Sequence, residues 1–371
     1  MAHVFIVDEK TFDIHLKYNF AGTGAKESDG IYLFDNSIEI KASTERTITG
    51  LLADISRIRE GDKILFYLQQ KNGREGMFFG SFQADGRAFL CVDKYLDDEL
   101  GKKLIFRIKI KPNNVYSKGA TERECLDTLE GIKYPYELCW SLIYRKLKGN
   151  RGCTMITDAE YEFIMNKIKM NNKQPLNSCK NYQFEPILSC IIECDNELKY
   201  EGSENNVNIF SRLKYKADKK NAYETHLQAY LMQSLERIDL LKVNDAPINW
   251  IGNEMSCGVG MQSIDVIFMQ ETNKMHIVIC ELKDEQPKEY IKNQINKYID
   301  WISQFIAPTM KKEVVIHPTI VAPNARNKTI EMLKKIDIMN FEKRKNVAID
   351  DTRYISFVIS DNNLEFKKEE I

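Results

Sequence analysis

The chain has 371 residues, of which 43% are apolar and 29% charged, and a formal net charge of −1. This length and composition predict two folded domains with ordinary hydrophobic cores. The apolar runs are too short to cross a bilayer and the first ten residues lack a signal-peptide core, so we expect a cytoplasmic protein with no membrane partner. The nine cysteines include no C-x-x-C pair, which argues against a structural zinc site and favours reduced thiols.

The N-terminal third alternates short apolar runs with turn signals. From residue 1 to about 115 the runs include "HVFIV", "GIYLF", "DNSIEI", "GDKILFYLQ" and "GMFFGSF". This pattern predicts a curved antiparallel sheet or small β-barrel. Residues 121 to 170 then favour helices, and Thr157 is placed to cap one of them.

The stretch from 171 to 221 is rich in Asn, Lys, Ser and Glu, and we expect a domain boundary there. The predicted organisation is a first domain at 1–175, a linker region at 176–220 and a second domain at 221–371. The second domain is predicted to be α/β, with a helix at 222–238, a strand pair at 264–282, a long helix at 288–305, a strand at 317–323, a helix near 327–335 and a last strand near 354–360.

Basic residues are clustered although the net charge is nearly zero. In "FRIKIK", a strand would place Arg107, Lys109 and Lys111 on one face. The segments at 144–151 and 212–220 interleave basic residues with tyrosine, as phosphate-facing surfaces often do. Solvated surface faces are the alternative interpretation. As candidate contacts to a DNA backbone we take Arg107, Lys109, Lys111, Arg145 and Lys146.

The predicted strand pair carries charged residues into an apolar environment. If residues 271–274 form the turn, Asp265 lies opposite or next to Glu281, and Lys283 emerges on the same face as Glu281. Burying two carboxylates and a lysine is costly unless they are paired or bind a cation. Mg²⁺ or Mn²⁺ held by Asp265, Glu281 and the Leu282 carbonyl would meet that cost and suits phosphodiester hydrolysis. Lys283 would orient or deprotonate the nucleophile and offset charge on the phosphate.

This spacing of Asp265 and Glu281-Leu282-Lys283 resembles the PD-(D/E)XK nuclease superfamily. The resemblance covers about residues 222–360. It implies that Glu224, in the preceding helix, supports the metal, and that Gln294 belongs to a Gln-x-x-x-Tyr element with Tyr298, as in restriction-type and NucS-like nucleases. Ile264 replaces the proline of the motif name. A structural ion pair is the alternative for Asp265 and Lys283, and an ordinary exposed helix position for Glu224.

The first 170 residues resemble the PUA-like group that includes EVE and YTH domains. The segments that carry this resemblance are "IREGDKILFYLQ", "GMFFGSF" and "ELCWSLIYRKLKG". This resemblance implies a small barrel that binds modified bases in nucleic acid. Reading one base requires its extrusion into a pocket with aromatic walls. Phe20, Tyr67 and Trp140 are candidates to line that pocket, with an ordinary packing role as the alternative for each.

Together these patterns predict a modification-dependent DNA restriction endonuclease. A PUA-like reader barrel with helices would select double-stranded DNA with a modified base. A PD-(D/E)XK α/β domain, with a mixed central sheet flanked by helices, would cut it with Mg²⁺ or Mn²⁺. Cleavage of both strands suggests a homodimer. The alternatives are a repair endonuclease that recognises DNA structure or mismatches, and a non-catalytic reader of modified nucleic acid. The sequence does not distinguish DNA from RNA.

Overall fold

A computed structural model describes residues 1–25, 28–71, 73–127, 132–144, 152–195, 198–257, 262–324, 326–334 and 347–370. The chain divides into two compact units. Unit 1 comprises residues 1–133 and 138–207, and unit 2 comprises residues 134–137 and 208–371. Across the described ranges, no helix has the length and apolar character needed to cross a membrane.

Unit 1 is an α+β structure around a curled half-barrel sheet. Its strands are β1 (Ala2–Val7), β2 (Phe20–Thr23), β3 (Lys63–Leu68), β4 (Met77–Ala84), β5 (Phe89–Leu90), β6 (Phe106–Pro112), β7 (Ala120–Thr121), β8 (Cys153–Ile156), β9 (Asn181–Glu185) and β10 (Cys190–Cys194). The main sheet has the order β2-β6-β4-β3-β1-β8, with β5 paired to β6 and β7 to β4, while β9 and β10 form a separate hairpin. Its helices are α1 (Glu9–Tyr18), α2 (Ala42–Ser56), α3 (Asp97–Leu100), α4 (Glu122–Leu126), α5 (Trp140–Tyr144) and α6 (Asp158–Met170).

Two helices in unit 1 lie where the sequence pattern predicted only strands. Helix α1 begins after Asp8, whose side chain accepts the Thr11 N–H. Helix α2 buries residues at helical spacing, among them Ile48, Leu51 and Leu52. The expected strand "GIYLF" is instead a short 3-10 turn over Ile31–Leu33, and "DNSIEI" forms no strand. Short apolar runs at this length fit either structure, which explains these errors.

The expected helix start at Thr157 is confirmed. The Thr157 hydroxyl accepts the N–H of Glu160, and the Glu160 carboxylate accepts the N–H of Thr157. This reciprocal capping box satisfies two backbone donors at the start of α6. The segment 176–220, expected as a linker region, contains the β9–β10 hairpin of unit 1 and helix α7 of unit 2.

Unit 2 contains a mixed sheet and helices. Its strands are β11 (Ile248–Ser256), β12 (Ser263–Glu271), β13 (Met275–Leu282), β14 (Val314–Pro323), β15 (Val347–Ile349), β16 (Arg353–Ile359) and β17 (Leu364–Glu369). The sheet order is β11-β12-β13-β14-β16-β17, with β15 paired to β14. The helices are α7 (Phe210–Asp218), α8 (Glu224–Ser234), α9 (Ile291–Phe305) and α10 (Asn327–Lys334). The predicted fold class, two α+β or α/β units with a curled sheet in one and a mixed helix-flanked sheet in the other, is confirmed.

The predicted hairpin at the centre of unit 2 is also confirmed. Strands β12 and β13 pair antiparallel, from Glu271 opposite Met275 to Val266 opposite Cys280. Strand β14 pairs parallel with β13, which places β13 inside the sheet. Helix α9 carries its buried residues at helical spacing, as in an amphipathic helix that covers a sheet. Strand β11, which the sequence reading did not predict, pairs with β12.

Candidate functional site

The open end of the β12–β13 hairpin brings the two predicted carboxylates together. Register places Val266 opposite Cys280, so Asp265 and Glu281 follow directly at the same end of the sheet. The Asp265 carboxylate accepts the Leu282 backbone N–H through Oδ2 at 2.7 Å. This bond fixes the Asp265 side chain against the strand that carries Glu281.

Lys283 links the carboxylates of this site. Its Nζ donates to Glu281 Oε1 at 2.6 Å and to the Leu282 carbonyl at 2.7 Å, and it lies 3.4 Å from Glu224 Oε2. The Lys283 side chain is 11% exposed and that of Glu281 only 2%. Charged side chains that are largely buried and hydrogen-bonded to each other in this way are held in a fixed relative position. The predicted set of Asp265, Glu281, Lys283 and Glu224 is therefore gathered at one place in unit 2.

Helix α8 brings Glu224 to the site at its first residue. The preceding residue, Tyr223, donates its N–H to Asp284 Oδ2 at 2.9 Å and its hydroxyl to the Asp284 carbonyl at 3.2 Å. Asp284 directly follows Lys283 in the chain. These two bonds tie the start of α8 to the end of β13. The Glu224 side chain keeps 42% of its surface exposed, so it lies on the solvent-exposed side of the carboxylate cluster.

Helix α9 contributes Tyr298 and Gln294 from one helical face. The Tyr298 hydroxyl lies 3.0 Å from Glu281 Oε2 and 2.7 Å from the Ser263 carbonyl, and can donate to either. Gln294 Nε2 donates to the Tyr298 hydroxyl at 2.6 Å. Glu281 therefore has a polar partner at each oxygen. Gln294 acts on the carboxylates through Tyr298.

Burial and mutual repulsion oppose ionisation of all three carboxyl groups. Burial, followed by the negative charge of Glu281, raises the pKa of Asp265 well above its usual range. Burial also raises the pKa of Glu281 and of Glu224, although Lys283 partly counters both. At Lys283, burial acts to lower the pKa, but Glu281 and its neighbouring carboxylates outweigh it and the pKa is raised. In this arrangement the Lys283 ammonium donates hydrogen bonds to Glu281 and to the Leu282 carbonyl.

The site offers carboxylate and carbonyl oxygens, the ligand type that a hard divalent cation prefers. With Asp265, Glu281 and Glu224 all ionised, the three carboxylates and the Lys283 ammonium carry a formal charge of −2, which a divalent ion would neutralise. Over the described ranges, no three His, Cys, Asp or Glu side chains already converge as a complete ligand set. Mg²⁺ commonly uses only one or two carboxylates with waters and substrate phosphates. Asp265 and Glu281, with the Leu282 carbonyl that Lys283 now occupies, would supply such a partial set.

Two polar residues at the site were missed by sequence reasoning. Gln228, one turn after Glu224 on α8, donates from Nε2 to the Asp265 carbonyl at 2.9 Å and to Glu254 Oε1 at 3.1 Å. Glu254 lies on β11, and its Oε2 accepts from the Ser263 hydroxyl at 2.9 Å. The four-residue spacing of Glu224 and Gln228 could have indicated Gln228. Glu254 could not be found because β11 itself was not predicted.

The expected reader pocket is not assembled from its three candidate residues. Phe20 is fully buried and its ring packs 5.2 Å from that of Tyr200, in one hydrophobic cluster. Tyr67 is 1% exposed, packs 4.9 Å from Phe78 and belongs to a different cluster. Trp140 is half-buried at the start of α5. Phe20 and Tyr67 are therefore packing residues, which corrects their assignment to a common aromatic pocket.

The proposed DNA contact at Arg107 is also corrected. Arg107 is 1% exposed, and its guanidinium donates to the Leu104 carbonyl and to the Tyr95 carbonyl, each at 2.6 Å. A buried guanidinium that donates to backbone carbonyls stabilises the fold and does not face a phosphate. The regular alternation expected for "FRIKIK" fails at this position, because the chain also covers the face on which Arg107 lies.

Two of the remaining basic candidates for DNA contact, Lys109 and Lys111, lie at the protein surface. Lys109 is half-buried and pairs with Glu204 at 2.5 Å, and Lys111 is exposed and pairs with Asp85 at 3.1 Å. Surface pairs of this kind are weak and leave both ammonium groups available to a phosphate. Arg145 and Lys146 lie outside the described residues.

Known proteins show only weak similarity to this chain. No family model matches the chain and no curated protein matches it. A hypothetical protein from Leishmania major has 13% sequence identity and a TM-score of 0.30, with 46% of this chain and 95% of that chain covered. Human THYN1, solved in complex with DNA containing 5-methylcytosine, has 10% identity and a TM-score of 0.25, with 47% and 99% covered. Both likenesses are too slight to assign a fold or a function.

Proposed function

We propose that unit 2 is a metal-dependent nuclease that hydrolyses phosphodiester bonds in DNA. The observation that carries this proposal is the largely buried, hydrogen-bonded group formed by Asp265, Glu281 and Lys283 at one end of a central hairpin. Ionising a cluster of carboxylates with raised pKa values costs free energy unless a bound metal ion compensates their charge. Sites with such perturbed pKa values are candidates for catalysis. A structural ion pair alone would not require the third carboxylate, Glu224.

In the hydrolysis, the oxygen of water bonds to phosphorus while one P–O ester bond breaks. The products are a phosphate monoester and a hydroxyl, and the leaving oxygen takes up a proton. A divalent ion held by Asp265 and Glu281 would supply Lewis-acid stabilisation and a more acidic water. Lys283, as a buried cation, would donate to the phosphate oxygens as their negative charge increases. Tyr298 holds Glu281 in position through its second oxygen.

For unit 1 we propose that it selects DNA with a modified base, so that the whole chain is a modification-dependent restriction endonuclease. This assignment rests on the sequence resemblance of residues 1–170 to EVE and PUA-like domains. It requires a pocket lined by residues other than Phe20 and Tyr67, since both of these rings pack inside separate hydrophobic clusters. A homodimer would supply the two catalytic centres needed to cut both strands.

Cleavage of defined DNA duplexes tests both parts of the proposal. The full chain and a Lys283→Ala variant are incubated with Mg²⁺ and duplexes that differ only in one cytosine or adenine modification. We expect cleavage of one modified duplex and its loss in the variant. Equal cleavage of all duplexes would retain the nuclease and exclude the modification reader. Binding without cleavage, with or without Mg²⁺ or Mn²⁺, would support a non-catalytic reader instead.

A further inference from the structure

The side chain of Gln228 joins three elements next to the carboxylate cluster. It lies on α8 one turn after Glu224 and is 3% exposed. Its Nε2 donates one hydrogen to the Asp265 carbonyl on β12 and the other to Glu254 Oε1 on β11. A buried amide with both hydrogens committed is held in one orientation.

The identity of its partners fixes which way the Gln228 amide points. Both partners are acceptors, a backbone carbonyl and a carboxylate, so a flipped amide would place its oxygen against two other oxygens. Glu254 is itself held by the Ser263 hydroxyl at 2.9 Å. Its backbone has φ 49°, a left-handed conformation that is uncommon for a residue with a side chain. Strain of this kind persists only where surrounding contacts impose it.

We infer that Gln228 is a positioning residue that sets the separation between the Glu224 carboxylate on α8 and the Asp265 carboxylate on β12. Asp265 is fixed from both sides by this arrangement, because its carbonyl accepts from Gln228 and its Oδ2 accepts from the Leu282 N–H. Without the Gln228 amide, the Asp265 backbone carbonyl near the start of β12 loses this hydrogen bond and is no longer held to α8. The positioning role of Gln228 does not depend on the proposed nuclease function. Only its expected effect on cation binding rests on that function.

The Leu282 backbone amide provides a readout that requires neither metal nor substrate. Its N–H donates to Asp265 Oδ2, whereas the next amide, Lys283 N–H, just past the end of β13, donates to the Val321 carbonyl of β14 at 2.9 Å. Amide hydrogen exchange reports local opening separately from global unfolding. A displaced Asp265 therefore exposes the Leu282 amide alone, while a general loss of stability speeds exchange at both amides.

The test compares Gln228→Met, which keeps the volume and helix propensity, with Gln233→Met on the same helix. Gln233 lies further along the same helix and accepts the Ile209 N–H at 3.2 Å, so it controls for the substitution itself. We expect Gln228→Met to speed exchange at Leu282 relative to Lys283 by about tenfold, the loss of one hydrogen bond. The control should leave that ratio unchanged. If Gln228→Met folds poorly, Glu254→Ala, at a partly exposed position, should shift the ratio in the same direction.

Mn²⁺ binding to the same full-length proteins measures the consequence for a cation. We expect Gln228→Met to weaken the affinity by about tenfold, and Gln233→Met to leave it unchanged. An unchanged Leu282 to Lys283 exchange ratio in both Gln228→Met and Glu254→Ala would overturn the inference. If the unaltered protein binds no Mn²⁺ but the exchange ratio shifts as expected, the positioning role of Gln228 stands and the metal-dependent function fails.

Discussion

The Lys283 ammonium lies 2.6 Å from the Glu281 carboxylate, with both side chains largely buried, at the end of the central hairpin of unit 2. One lysine cannot neutralise the neighbouring Asp265 and Glu224 as well. When its groups are all ionised, the site therefore combines a fixed ion pair with excess negative charge, which the raised pKa values of the carboxyl groups oppose. That combination distinguishes it from a balanced structural ion pair and makes its chemistry testable residue by residue.

Removal of the Lys283 ammonium should strongly slow DNA cleavage. We expect Lys283→Ala to lower the rate of DNA cleavage by at least about a hundredfold, since a donor to the developing phosphate charge is lost. Lys274→Ala is the matched control, because Lys274 lies in the turn of the same hairpin and pairs with the exposed Glu313. Single-turnover cleavage with Mg²⁺ measures both. Cleavage by Lys283→Ala at the rate of the control would contradict the assignment.

Removal of the Asp265 charge should stabilise the metal-free protein. The folded pKa of Asp265 is raised above its unfolded value, so its ionisation as pH rises destabilises the fold. We expect Asp265→Asn to raise Tm at pH 8 by roughly 3 °C, with a smaller gain near pH 4. Thermal melts with a chelator present measure this difference, and Asp351→Asn, at an exposed position, serves as control.

The same melts test for a cation. We expect Mg²⁺ to raise Tm of the unaltered protein, because an ion bound only to the folded state stabilises it. Asp265→Asn should show a much smaller rise. An equal rise in Tm for both proteins would place the Mg²⁺ effect at another part of the molecule.

His15 should make unit 1 sensitive to acid. It is fully buried against Phe20, and neither ring nitrogen has a partner in the part of the chain that the structure describes. Burial lowers its pKa to about 3, so protonation below the ordinary pKa near 6.5 favours the unfolded state. Stability should therefore fall as pH falls from about 6.5 towards 3, at a limiting slope of about 1.4 kcal/mol per pH unit.

His15→Leu replaces the ring by an apolar side chain and removes this pH-dependent contribution. We expect the difference in free energy of unfolding between His15→Leu and the unaltered protein to grow by about 2 kcal/mol between pH 6.5 and pH 5. Urea unfolding at several pH values measures it, and the difference at pH 7.5 gives the packing effect alone. A difference that does not change with pH would show that His15 gains a partner on protonation.

Substitutions of Arg107 and Lys111 should have different effects, the first on protein stability and the second on DNA binding. Arg107 is buried on carbonyl groups, so Arg107→Met should lower the free energy of unfolding by about 3 kcal/mol and leave the DNA affinity of folded protein unchanged. Lys111 is exposed, so Lys111→Ala should retain stability and reduce the salt dependence of DNA binding by about one unit of slope. Urea unfolding and binding titrations at several salt concentrations measure the two effects. The opposite pattern would restore Arg107 as a phosphate contact.

Much of unit 2 follows from local sequence patterns. The apolar strands, the turn between them and the two-residue spacing of Glu281 and Lys283 predicted the hairpin and the shared face. The four-residue spacing of Gln294 and Tyr298 predicted their common side of α9. In unit 1 the same method failed for α1 and α2, because short apolar segments do not distinguish helix from strand.

The sequence by itself determined which charged residues share an element and a face, since strand and helix periodicity depend only on neighbours along the chain. Only the tertiary structure decided that Arg107 is buried, that Phe20 and Tyr67 lie in separate clusters, and that Gln228 links Glu254 to Asp265. These relationships join residues from different elements. They depend on strand order and packing, which the periodicity of a single element does not specify.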